Sequence, residues 1–158
     1  MDSYSTAALL NRTDTDVLAI HCGDHRFQAA FQDFLNQGLK LAGNYDLIVI
    51  PGGPQSLTAV EYLPKFSWAS RRWFRFFVEN HELHRLILIQ HQDCAWYKSL
   101  PLHLHASAEP RQRQEQDLAR VTRTLKEDFP ELKVELYYAG WDAAGRVIIE
   151  TIAPLTRM

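Results

Sequence analysis

Five short apolar runs, separated by stretches with helical spacing, restrict the fold of this chain more than any other feature. Val17–His21, Tyr45–Ile50, Arg85–Gln90, Val134–Tyr138 and Val147–Ile152 each have strand length. After the first run, Phe27, Ala30, Phe31, Phe34, Leu35 and Leu39 recur at three- and four-residue intervals, one apolar stripe of a helix that starts at Asp24 and stops at Gly43-Asn44. Between the second and third runs, Ser67 can cap a helix from Trp68 to Asn80. Between the third and fourth, Ser107 can cap a long polar helix to Asp128 with Leu118, Val121 and Leu125 on its buried side. Strands alternating with helices predict an α/β fold in three layers, with a central, mostly parallel sheet flanked by helices. The turn Asp142-Ala143-Ala144-Gly145 is too short for a crossover, so strand 5 must run antiparallel to strand 4. The expected strand order is 2-1-3-4-5.

One domain is expected over residues 1–158, with 1–15 as an N-terminal arm, because 158 residues without a linker or repeat suit a single core. A net charge of −2 gives no electrostatic case for nucleic acid. The dense aromatics of residues 68–78 read as core or a subunit interface, and Arg111, Arg113 and Arg120 as a solvated helix face. No apolar run approaches the roughly 20 residues of a membrane span, and the polar N-terminus is not a secretory signal. The expected compartment is the cytosol, where two cysteines are ligands, catalytic groups or core residues rather than a disulfide.

Those cysteines both stand at the ends of apolar runs. Cys22 follows the first, and His91-Gln92-Asp93-Cys94 follows the third. In open parallel sheets, ligands bind beyond the carboxyl ends of the strands, at the crevice where strand order reverses. With strands 1 and 3 adjacent, Cys22, His91 and Cys94 supply the three protein donors of a zinc site with one position left open. Asp24 can reach the metal or its water, and Arg26 can hold that carboxylate by a charge-assisted pair. The competing reading makes Cys22 a small buried apolar residue, Asp24 a helix cap and Arg26 a surface residue. His21 and His25 flank the site as candidate proton shuttles. Asp93 is expected to be a loop residue or to orient a ligand, and His103 and His105 to lie on a surface loop.

The pair of motifs Cys22-Gly23-Asp24-His25-Arg26 and His91-Gln92-Asp93-Cys94 resembles the β-class carbonic anhydrases, and Tyr138–Arg146 looks like that family's closing strand-turn-strand. The resemblance implies a carbonate dehydratase, a zinc lyase that reversibly hydrates carbon dioxide to bicarbonate. It implies Zn2+ on Cys22, His91 and Cys94, a zinc-bound hydroxide oriented by the Asp24–Arg26 dyad, and Asp24 as fourth ligand in a closed resting form. It also implies a homodimer or higher homo-oligomer. The sequence departs from the family in two places. Val49-Ile50-Pro51-Gly52-Gly53 stands where Arg-x-Ala-Gly is common, and Ala95-Trp96-Tyr97 follows the second motif where glycine is usual. Two other readings stand beside it: a non-catalytic zinc protein with the same ligands, and a cysteine hydrolase of the glutamine-amidotransferase kind. The latter follows from Tyr45-Asp46-Leu47-Ile48-Val49-Ile50-Pro51-Gly52-Gly53-Pro54, which looks like that kind's glycine turn, with Cys94 as nucleophile, although Asp93 and Trp96 suit a nucleophile elbow poorly. A phosphatase loop at Cys22 fails because residue 28 is Gln28, not arginine.

Overall fold

The structure, a computed structural model, describes residues 3–58, 64–99 and 109–153. Val17–His21 form β1, Asp46–Val49 β2, Arg85–His91 β3, Lys133–Trp141 β4 and Val147–Thr151 β5. The helices are α1 (Gln28–Asp33), continued by a π-helical turn over Phe34–Gly38, α2 (Pro64–Asn80), α3 (Ala95–Ser99) and α4 (Pro110–Asp128). A 3-10 turn covers Gly53–Leu57. The sheet order is β2-β1-β3-β4-β5, with β5 antiparallel to β4 and every other pair parallel, as the alternation predicts.

The two central strands explain why their sequences are continuously apolar. Residues of even number in β1 and β3 (Leu18, Ile20, Leu86, Leu88) pack with Phe74 of α2 and with Leu118, Val121 and Leu125 of α4. Those of odd number (Val17, Ala19, Ile87, Ile89) pack with Phe27, Phe31 and Leu35 on the opposite face. A strand buried on both sides has no polar alternation to show. The edge strand β2 alternates instead, and its Leu47 and Val49 are half exposed.

Several boundaries differ from expectation, three of them for a clear physical reason. The first helix begins at Gln28 rather than Asp24, because the Asp24 carboxylate accepts from the Arg26 backbone N–H (3.0 Å) and closes a turn of its own. The second helix starts at Pro64, one turn ahead of Ser67, since proline is well suited to a first helical turn. Strand β4 extends to Trp141, paired with β3 on one side and β5 on the other. The Ser107 cap and the His103/His105 loop lie outside the described residues. Of the aromatics on α2, Phe74 is core, whereas Trp68, Trp73 and Phe76 are exposed. Arg111 and Arg113 are not a plain solvated face: Arg111 pairs with Glu115 and Glu150 and lies over the Tyr138 ring, and the Arg113 Nε is buried without a hydrogen bond. Among the described residues, no helix is long and apolar enough to cross a membrane.

Candidate metal centre

The register of β1 and β3 sets the site. His21 is level with Ile89, so Cys22 leaves its strand end close to His91 at the end of β3. Cys94 follows a turn at Asp93. The donor atoms of Cys22, His91 and Cys94 lie within 4.8 Å of one another, and all three residues are buried. Their sulfurs are 3.8 Å apart and both cysteines are free. Two thiolates on a tetrahedral zinc, at bond lengths of about 2.3 Å, stand about 3.8 Å apart.

The histidine is prepared for the same role. Its Nδ1 lies 2.9 Å from the Gln92 carbonyl, which can only accept, so Nδ1 carries the proton and Nε2 keeps its lone pair. Nε2 is buried and has no hydrogen-bond partner. A buried nitrogen with nothing to bind is costly, and a metal ion removes that cost. The thiols fit the same ion. The Cys94 thiol donates to Cys22 and holds its ionisation well below the usual thiol range, while Cys94 is pushed up. The pair thus releases one proton readily and keeps the other, and a divalent cation between the sulfurs lets both ionise. Two sulfurs and an imidazole are a zinc-type donor set.

The walls come from β1, α1 and the loop that joins them. The Phe27 ring packs 4.5 Å from the His91 ring between centroids, so the apolar stripe of α1 forms the back of the site. His21 is buried against Phe31, with its Nδ1 directed at the Cys22 carbonyl, and burial lowers its pKa. It therefore has no route to solvent, and only His25 of the two expected shuttles lines the cleft. Gln28 donates to the carbonyls of Cys22 and Asp24 (3.0 and 2.8 Å) and braces the loop between them.

Asp24 sits outside the three-donor group. Both its oxygens accept from Arg26, the closest approach being 2.6 Å, and that hydrogen bonding holds its pKa at about 2. Asp93, expected as a loop residue or one that orients a ligand, lies in the loop and holds Arg26 through its carboxylate (3.0 Å) and its carbonyl (3.1 Å). Cys22, Asp24, His25, Arg26, Pro51 and Trp96 contribute to an open cleft of about 710 Å³ above the donors.

The two family departures meet each other. The Trp96 ring covers Gly52, and its Nε1 donates to Gln55. From there a polar chain runs under the site. Gln55 and the Tyr97 hydroxyl donate to Asp117 (3.0 and 2.8 Å), and Gln90 donates to Tyr97 (3.0 Å). Gln114 donates to Gln90 (3.5 Å) and to the His91 carbonyl (2.8 Å). Sequence reasoning missed Gln28, Gln90 and Gln114, since isolated glutamines carry no spacing signal that separates a buried brace from a surface residue. Cys94 is buried against Cys22 rather than raised on an exposed elbow.

The fold is that of the β-carbonic anhydrases, and the Cys22, His91 and Cys94 group is consistent with that family's motif. The β-carbonic anhydrase CafA of Aspergillus fumigatus superposes with a TM-score of 0.58 at 13% identity, over 90% of this chain and 77% of its own. One of two tetrameric β-carbonic anhydrases from Sordaria macrospora gives 0.50 at 13% identity, over 88% and 83%. A family model described as "Putative carbonic anhydrase" matches residues 12–148, and the chain belongs to that family. An uncharacterized protein of Rickettsia bellii is 26% identical over 145 residues, 89% of this chain and 85% of that protein.

Proposed function

We propose that this chain is a zinc-dependent carbonic anhydrase that interconverts carbon dioxide and bicarbonate. Cys22, His91 and Cys94 would hold the ion, and the unpartnered, buried Nε2 of His91 is the observation that carries the reading. When bound, zinc supplies Lewis acidity that brings the pKa of a water in its open position from 15.7 toward about 7. The chain's own residues do the rest. Asp24 is kept ionised by Arg26 and so acts as a hydrogen-bond acceptor that aims the attacking oxygen's lone pair at the carbon of carbon dioxide. Because Arg26 occupies both Asp24 oxygens, the carboxylate is drawn toward the arginine, which favours the open arrangement over the one in which Asp24 is the fourth ligand. Hydration forms one carbon–oxygen bond and releases one proton. That proton leaves through the open cleft, where His25 is solvent-exposed.

We place the protein in the cytosol as a homo-oligomer with a second copy of itself as partner. Support comes from the exposed apolar groups of the arm (Leu9, Leu10), of β2 (Leu47, Val49) and of α2 (Trp68, Trp73).

Metal analysis coupled to stopped-flow hydration tests the reading. The expected result is one zinc per chain, lost on Cys94→Ser. In Asp24→Asn the zinc stays and kcat falls about 100-fold. Zinc with no hydration at any pH from about 6 to 9 would leave a binding protein with the same ligands, and a metal-free protein alkylated at Cys94 would favour the cysteine hydrolase.

A further inference from the structure

Asp24 and Arg26 belong to one short loop and bind each other. The Arg26 backbone N–H holds the carboxylate and Gln28 braces the loop, but neither contact reaches His91 and Cys94, which lie on a different loop. The connection is made at Asp93. Arg26 Nε and one terminal nitrogen engage Asp24, while Nη1 donates to the Asp93 carboxylate at 3.0 Å and Nη2 to its carbonyl at 3.1 Å. The guanidinium is planar, so clamping one edge sets the direction of the other. Asp93 stands between His91 and Cys94 and therefore carries their frame of reference.

The backbone supports a specific role. Asp93 has φ of 59°, in the left-handed region where glycine is at ease and a side chain is strained. The aspartate there places a carboxylate against both Arg26 and Lys98, its second cationic partner.

We propose that Asp93 is a positioning residue that locks Arg26, and through it Asp24, to the loop bearing His91 and Cys94. The proposal rests on the carbonic anhydrase reading for its catalytic consequence but not for its geometric one.

Asp93→Gly and Asp93→Asn separate the two. Glycine suits the backbone and removes the carboxylate, whereas asparagine tolerates the backbone and keeps a neutral acceptor for Nη1. With 15N-arginine labelling, and Arg26→Lys for assignment, solvent exchange of the Arg26 Nη1–H, the group that donates to the Asp93 carboxylate, is expected to quicken about tenfold in Asp93→Gly and less in Asp93→Asn. Asp93→Gly should keep one zinc per chain and melt no lower than the parent. Its kcat should fall about tenfold with KM little changed, and Asp93→Asn should recover part of that loss. Unchanged exchange in Asp93→Gly would overturn the proposal and leave Asp93 as a turn residue, and so would loss of zinc, which would make it a support of the ligands. If the parent protein binds zinc but hydrates nothing, the functional reading fails while the exchange measurement still decides the bridge.

Discussion

The Trp96 ring lies directly on Gly52, where a Cβ would fall 2.2 Å from the indole. The bulky residue after the second motif and the glycine turn after β2 are therefore two halves of one contact, and the cleft wall depends on both.

Gly52→Ala should displace Trp96 and strain a residue at φ 75°. Gly53→Ala should be worse for the site, since its Cβ would meet backbone atoms of His21 and Cys22 at 3.0 and 2.9 Å, and backbone cannot step aside as a side chain does. Each is expected to lose about 1–3 kcal/mol in urea unfolding. Gly52→Ala should also change the emission of Trp96, assigned with Trp96→Phe, whereas Gly53→Ala should weaken zinc retention against a chelator. Equal zinc retention in the two variants would contradict this division.

Gln114 is buried and donates to the carbonyl of His91 and to Gln90. Gln114→Leu keeps most of the volume but leaves both acceptors unpaired in the interior. A loss of about 1–3 kcal/mol in chemical unfolding is expected, together with faster amide exchange at the end of β3. A neutral effect on both would mean that the glutamine fills space and braces nothing.

Arg85 and Glu135 form a paired, mostly buried bridge between β3 and β4 (2.9 Å for both hydrogen bonds). Arg85 is the main cause that holds the Glu135 carboxyl at about 2, below its ordinary value of 4.5. The folded pKa is depressed, so the contribution is present above the unfolded value and fades as pH falls from there through about 2. Relative to Glu135→Gln, the parent should be more stable by about 2–3 kcal/mol at neutral pH. The two proteins should converge near the acid end, as read by urea melts over that range. A constant difference across the range would place the effect in packing instead of charge.

How far the fold could be read depended on where each residue's partner lies. Strands β1 and β3 are buried on both faces, so they appear as unbroken apolar runs, and the donors at their ends could be located without knowing any contact. The start of α1 was misjudged because Asp24 makes an Asx turn whose effect depends on local geometry, not on spacing. Asp93 showed its position but not its partner, since Arg26 is 67 residues away in sequence. Trp96 showed only as a departure from the usual glycine, because the glycine beneath it, Gly52, belongs to another loop.

The three donors also have an order in time. Cys22 and Cys94 are separated by 72 residues, and among the described residues the three donors, Asp24, Arg26 and Asp93 all precede α3. The braces Gln114 and Asp117 and the neighbouring strand β4 come later. Because synthesis delivers the N-terminal part first, a growing chain would present a complete set of metal donors while β3 still lacked its partner on one side. Zinc captured at that moment would fasten β1 to β3 and hold the unfinished sheet until α4 and β4 arrived.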